Sequence, residues 1–257
     1  MNQTAKSKFA VVEPYLSKGM KILDFGSGIS PEFISDVDSS GAEYYAYDVS
    51  KTVQTELASI GVNVVTKEDL TNKAKAIQFD IVYLSSVFHE IISYLNRQER
   101  TETINMIMES LKPGGHLIIR DWANPNDTDQ LFCIKPVSEQ AAQEIEIWLN
   151  ELSKNSIIDN DYNKHEDGSI TTHSKNAYEI IFHTVWGLKS LSRESKEQYN
   201  IEDSIRNWIC YPHEKSLNLQ TVYQEIDETY LPHLQKYFDL DSVPFNTKSI
   251  YIFQKNK

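Results

Sequence analysis

The sequence is short of three things. Cysteine occurs only at Cys133 and Cys210, too few for a disulfide framework and spaced for no metal motif, so a reducing, cytoplasmic setting is expected. No apolar run approaches the roughly 20 residues that cross a bilayer, and a soluble chain with no membrane partner is expected. The opening Met1-Asn2-Gln3-Thr4-Ala5-Lys6 has neither a long hydrophobic stretch nor a cleavage-like site, so no secretory signal is expected. Positive charge is the third shortage: 25 Lys and Arg against 37 Asp and Glu leave a formal charge of -12, and the basic residues are scattered. A protein that grips a phosphate backbone without sequence preference carries a basic stripe, so duplex DNA is not the expected partner. The acidic surplus reads as solvated surface. Repeats and low-complexity tracts are missing as well.

What is present begins with size: 257 residues, 40% of them hydrophobic, can bury a full core and suit one domain with an elaboration. The informative stretch runs from Lys21 to Asp48. Lys21-Ile22-Leu23-Asp24-Phe25 is an apolar run of strand type, broken by Gly26-Ser27-Gly28. Ser30 can cap a helix that starts at Pro31 and buries Phe33, Ile34 and Val37. Glycines at such a turn let the backbone pass close to a ligand, to which the helix start offers unpaired N–H groups. A second strand, Tyr44-Tyr45-Ala46-Tyr47, ends on Asp48, where a carboxylate can accept two hydrogen bonds from a ribose. A glycine pair after a strand can also serve only to turn. Against a nicotinamide or flavin fingerprint, Pro31 stands where G-x-G-x-x-G needs its last glycine. Asp24 beside the turn suits a ligand with a cationic end better than a pyrophosphate, which it would repel.

The stretch resembles the class I S-adenosylmethionine-dependent methyltransferases. Their first motif, an acidic residue, a hydrophobic one and G-x-G-x-G, is matched by Asp24-Phe25-Gly26-Ser27-Gly28-Ile29-Ser30, with Ser30 replacing the third glycine. Further elements follow in order: Asp69-Leu70 after a third apolar run, Phe79 to Leu84 leading to Ser85-Ser86, and Leu111-Lys112-Pro113-Gly114-Gly115 as a turn before a fifth strand. The resemblance implies S-adenosyl-L-methionine as cofactor, held by Asp24, Gly26, Ser27 and Gly28 at the turn, Asp48 and Val49 at the ribose, Asp69 and Leu70 beside the adenine, and Ser85. The expected fold is α/β: a Rossmann-like, seven-stranded, mostly parallel sheet with helices on both faces, its seventh strand antiparallel between the fifth and sixth. Residues 1–124 and 217–257 would form the cofactor-binding core, and residues 125–216 a helical lid inserted between strands five and six.

Within that frame the residue pattern nominates the chemistry. In open α/β sheets, reactions collect beyond the carboxyl ends of the strands, where His89 and Glu90 follow the fourth strand and Arg120 and Asp121 end the fifth. His89 is a candidate proton acceptor, with a buried histidine bonded to main chain as the rival reading. Asp121 is a candidate for catalysis, and Glu90, Arg120, Trp186 and Arg193 for substrate contact. Glu90 also reads as a carboxylate stabilised at a helix start. The N-terminal helix, residues 6 to 18, carries Pro14 as a kink or a break. The lid is expected to hold a helix from Val137 to Lys154, a mobile polar loop from Asn155 to Asn176, and helices over Ala177–Trp186 and Arg193–Trp208. Pro-Pro-Tyr-like residues, a nucleophilic cysteine and a metal-binding acidic cluster are not evident; Asp121 with Asn124 is too thin a pair for the last. The expected activity is methyl transfer to oxygen or nitrogen of a small molecule. The rivals are an RNA-end or nucleotide-directed methyltransferase, with Arg120, Arg193 and Arg206 meeting phosphates, and a non-catalytic cofactor-binding regulatory protein.

Overall fold

The computed structural model describes residues 2–71, 77–123, 125 and 129–257; Asn124 lies outside them. Along the chain the described strands are β1 (Lys21–Phe25), β2 (Glu43–Tyr47), β3 (Asn63–Val64), β4 (Phe79–Ser85), β5 (Leu111–Trp122), β6 (Leu131–Ile134), β7 (Tyr162–Lys164), β8 (Ile170–His173), β9 (Leu217–Glu225) and β10 (Lys248–Lys255). The longer helical stretches are α1 (Asn2–Val12), α2 (Pro31–Ser39), α3 (Lys51–Ser59), α4 (Lys67–Thr71), α5 (Phe88–Tyr94), α6 (Arg97–Ser110), α7 (Glu139–Lys154) and α8 (Ser174–Thr184). None of the described helices is long and apolar enough to cross a membrane.

Seven strands make one sheet in the order β3-β2-β1-β4-β5-β10-β9. Neighbours from β3 to β5 run parallel, while β10 lies antiparallel between β5 and β9, as the resemblance implied. Successive side chains of a strand point to opposite faces, and the core divides accordingly. Ile22, Ile81, Ile118 and Ile250 pack with Val12 of α1, Phe33 and Val37 of α2 and Leu57 of α3. Leu23, Val82, Leu117 and Phe253 face the other way, onto Phe88 of α5 and Ile104 and Ile107 of α6. Apolar strands covered on both sides are what a parallel sheet requires. The strand order reverses between β1, from which the chain steps one way to β2 and β3, and β4, from which it steps the other way to β5, so a crevice opens beyond the carboxyl ends of these two strands.

Several expectations need correction. Pro14 does end α1, in a single tight turn at Glu13–Tyr15. Lys112-Pro113-Gly114-Gly115 is not a turn ahead of β5 but a bulge within it. Phe79 pairs with Leu111 and Ile81 with His116, so two steps along β4 face five along β5. The insertion between β5 and β9 is not purely helical. Its residues include an antiparallel sheet in the order β6-β8-β7, and the polar loop expected over Asn155–Asn176 contains β7 and β8. Arg193–Trp208 is not one helix but short turns at Leu191–Glu194, Glu202–Ile205 and Arg206–Cys210. α7 matches its expected face: Ser138 accepts from the Ala141 amide as cap, and Ala141, Ile145, Trp148, Leu149 and Leu152 are buried.

Candidate active site

The turn after β1 is pinned to the end of β2 by its backbone. The Gly26 and Ser27 amides donate to the Tyr47 carbonyl at 2.7 and 3.2 Å. The Gly28 amide donates to one oxygen of Asp48 at 3.0 Å, and the Ser50 amide to the other at 2.8 Å. Each carboxylate oxygen keeps a lone pair for a further donor. Gly26 has φ +74°, and a Cβ there would lie 2.4 Å from Cγ2 of Val87; only glycine fits between this turn and the loop after β4. At Gly28, φ +54°, nothing stands within 4 Å of the same position, so the turn is open on that side.

Asp24 is 1% exposed and accepts a 2.8 Å hydrogen bond from the Tyr44 hydroxyl. Burial raises its pKa against the opposing field of Lys8, and the nearby charge of Asp48 adds to the rise. Ser30 does not cap α2 with its side chain, contrary to expectation. Val49, beside Asp48, is 83% exposed, and Ile29 in the turn is exposed too. Ser27 and Ser85 are buried at the ends of their segments. Asp69 accepts from the Thr66 amide and hydroxyl at the start of α4, and Leu70 is buried in the core cluster that includes Phe25, Val65 and Ile104.

Beyond the carboxyl ends of β4 and β5 lies a cavity of about 120 Å³. The sheet side supplies Ser86, His89, Glu90, Trp122 and Lys248; the insertion supplies Trp186, Arg193, Glu194, Glu197 and Tyr199; Tyr230 follows β9. Of the residues nominated for reaction or substrate, His89, Glu90, Trp186 and Arg193 are therefore brought together. Asp121 stands behind His89, and Arg120 is elsewhere. Its guanidinium, 1% exposed, donates to Glu225 at 3.0 Å and to the Ser7 hydroxyl at 3.0 Å, so it ties α1 to β5 and β9 rather than facing the cavity.

His89 is held at both ring nitrogens. Nδ1 meets Asp121 Oδ1 at 2.7 Å, and Nε2 meets Glu197 Oε2 at 3.3 Å. Burial depresses its pKa, but the charge of Asp121 and hydrogen bonds to both carboxylates overcome that and lift it to about 9. Burial likewise works to raise Asp121, and the His89 cation reverses it, so Asp121 stays ionised. At neutral pH the protonated ring donates from both nitrogens, and in that state it has no lone pair with which to take a further proton. Glu90 has its pKa raised by burial and makes no hydrogen bond or ion pair among the described residues.

Sequence reasoning missed seven wall residues: Ser86, Trp122 and Tyr230, and four whose partners shape the wall. Glu197, Glu194 and Tyr199 fall in the stretch read as one helix. Instead, Glu197 accepts from Tyr94 at 2.7 Å, while Tyr199 donates to Glu194 at 2.8 Å and accepts from the Trp186 indole at 2.7 Å. The Tyr199 ring stacks on Trp122 at 4.3 Å and on His183 at 4.0 Å. The fourth is Lys248, the first residue of β10. A lysine opening an otherwise apolar strand was the available signal. It is 4% exposed, donates to the Ser86 hydroxyl at 3.0 Å, and lies 4.0 Å over the Trp122 ring. Ser86 holds its hydroxyl there from a left-handed backbone, φ 56°, uncommon for a residue with a Cβ.

Comparison with known proteins now bears on this geometry. A methyltransferase-domain family model matches residues 1–166. The fold is similar to that of an S-adenosylmethionine-dependent methyltransferase from Archaeoglobus fulgidus, at 14% identity and a TM-score of 0.51 over 100% of this chain and 95% of that one. It is also similar to a methyltransferase assigned in Bacillus halodurans C-125, at 12% and 0.52 over 97% and 98%. A third is the 1,6-didemethyltoxoflavin-N1-methyltransferase of Burkholderia thailandensis with bound 1,6-didemethyltoxoflavin and S-adenosylhomocysteine, at 11% and 0.50 over 100% and 80%. At such identities the structural likeness is one of fold. No curated protein matches by sequence. The family match over well more than half the chain agrees with the strand order and with the acidic glycine turn: this chain belongs to the class I S-adenosylmethionine-dependent methyltransferases, an enzyme family whose cofactor is S-adenosyl-L-methionine.

Proposed function

We propose that this enzyme transfers a methyl group to an oxygen or nitrogen atom of a small organic acceptor held in the cavity between β4, β5, β10 and the insertion. The observation that carries the reading is the cavity's size and wall. About 120 Å³ enclosed by Trp122, Trp186, Tyr199 and Tyr230 suits a compact organic group. The rival reading of an RNA end or nucleotide needs free cations, and its three arginines are engaged. Arg120 is paired with Glu225, Arg193 with Glu194, and Arg206 with Glu202.

The residues at the first turn fit the cofactor. Asp24 is a buried carboxylate suited to a cationic amine, the backbone is open at Gly28, and Asp48 keeps lone pairs for ribose hydroxyls. Exposed Val49 and Ile29 offer apolar surface for a base, with Asp69, Leu70 and Ser85 on the same side of the sheet by the family pattern. When bound, S-adenosyl-L-methionine supplies a methyl group on a sulfonium. The chain's own contribution is placement: holding an acceptor atom about 3 Å from the reacting carbon and in line supplies most of the acceleration. His89, clamped between Asp121 and Glu197, fixes α5 and the insertion against each other and presents a positive charge to the cavity at neutral pH. Cys133 and Cys210 are free thiols, consistent with work in a reducing cytoplasm.

Titration calorimetry with S-adenosyl-L-methionine tests the cofactor half, and transfer of a labelled methyl group from it into the small-molecule or RNA fraction of an extract tests the acceptor half. Asp48→Ala removes charge-assisted hydrogen bonds to ribose and releases the Gly28 amide, so affinity should fall by on the order of 2 kcal/mol. Unchanged affinity would refute the place given to Asp48, and label recovered only in RNA would refute the small acceptor.

A further inference from the structure

The cavity holds one buried titratable group that placement and charge balance leave without a task. Lys248 is 4% exposed, yet no carboxylate lies within ion-pair distance of it among the described residues. A buried ammonium without a counterion is costly, and a strand start gains nothing from it that a methionine would not give. Its Nζ is nonetheless fixed, by the Ser86 hydroxyl at 3.0 Å and the Trp122 face at 4.0 Å, at the wall where the acceptor cavity meets the end of β4. His89 cannot serve as a base there, since both its nitrogens already donate to carboxylates.

We propose that Lys248 takes up the proton the methyl acceptor gives up, so that this side chain and the cofactor's sulfonium carry one positive charge in alternation. The proposal rests on the methyltransferase reading above. The balance is simple: the acceptor O or N forms a bond to the methyl carbon, the carbon–sulfur bond breaks with its electron pair going to sulfur, and the acceptor's proton moves to Nζ. Between sulfur and Nζ one positive charge is present before, on sulfur, and one after, on nitrogen, so this pair of atoms never holds two or none. The electrostatic setting supports this. Burial, then the Arg120 charge, lower the Lys248 pKa to about 7, with Lys8 of α1 acting in the same direction and Asp121 and Asp227 opposing. The other charged groups around the cavity are His89 and Glu90 on α5, and Arg193, Glu194 and Glu197 on the insertion.

S-adenosylmethionine and S-adenosylhomocysteine share every group except the sulfonium methyl, so the ratio of their affinities isolates the effect of the sulfonium charge. Calorimetry from pH 5.5 to 8, below the range in which His89 loses its proton, should show the methionine form tightening about tenfold relative to the homocysteine form as Lys248 loses its proton near pH 7. In buffers of differing ionisation heat at pH 7, binding of S-adenosylmethionine should release more protons than binding of S-adenosylhomocysteine. Lys248→Met should flatten the ratio at its high-pH value. Lys248→Arg, which keeps the charge at every pH, should flatten it at the low-pH value, and it serves should the methionine variant not fold. A ratio independent of pH in the wild type, or unchanged pH dependence in the variants, would overturn the role of Lys248 while leaving the enzyme class standing. Failure of both nucleosides to bind would overturn the class-based reading and this proposal together.

Discussion

Gly26 and Val87 meet where the first turn passes the loop after β4, and the contact leaves no room for a methyl group. Gly26→Ala combines a left-handed backbone with a clash at 2.4 Å, so a loss of about 2–3 kcal/mol in denaturant unfolding is expected. Adding Val87→Ala removes the Cγ2 and Cγ1 contacts but keeps Cβ at 2.9 Å, so it should recover only part of the loss, the remaining close contact and about 1 kcal/mol from the left-handed backbone persisting. His89 allows a second test. Its pKa stands at about 9 against an ordinary 6.5, so the folded protein binds the proton more tightly than the unfolded chain does. The resulting stability is fully present below about pH 6.5 and is lost as pH rises through about 9. It amounts to about 3 kcal/mol. Lys248, depressed to about 7 from 10.5, works the other way, its cost easing as pH rises from about 7 to 10.5. The wild type alone therefore hides the effect of His89. The difference between wild type and His89→Gln in urea unfolding should shrink from about 3 kcal/mol at pH 6 to near zero above pH 9.5.

Among the elements, those with a one-sided pattern were legible in the sequence. α7 shows its cap and five buried residues at helical spacing, and the first turn shows its acid and glycines. Trp148 is the largest side chain fully buried in the insertion, in a cluster with Leu149, Tyr178 and Phe182 that is separate from those beneath β1 and β2. Trp148→Ala should cost about 3–5 kcal/mol by thermal or urea unfolding. Affinity for S-adenosyl-L-methionine measured below the transition should stay within about twofold. Other elements could not be read because their cause is not local. β7 is three residues, Tyr-Asn-Lys, with no alternation, and it exists through the ladder it makes with β8. The helix expected over Arg193–Trp208 breaks because Glu194, Glu197 and Tyr199 turn inward to Arg193, His89 and Trp186, partners that a helical period does not encode. Of the candidate site, the glycine turn and Asp48 lie in one contiguous motif, whereas the cavity wall is assembled from α5, β5, β10 and the insertion. Arg120 looked like a substrate contact from its place at a strand end; it turned out to face α1 and β9, because side chains alternate and the cavity side fell to Asp121 and its partner His89.

For the molecule as a whole, the sheet brings distant residues to one edge, and the insertion closes over them. Trp122 at the end of β5 and Tyr199 of the insertion stack at 4.3 Å, so the two parts share an aromatic wall instead of meeting only through loops. The surplus of acid, 37 against 25, leaves the surface negative while the cations nearest the cavity are matched or buried. The same wall has a practical consequence. Two of the four tryptophans, Trp122 and Trp186, border the cavity, and Trp186 is 42% exposed. The protein's own ultraviolet emission should shift to shorter wavelength when an acceptor covers that indole. A Trp186→Phe variant should lose most of the shift, so a library of unlabelled metabolites can be ranked by colour alone, before any product has been named.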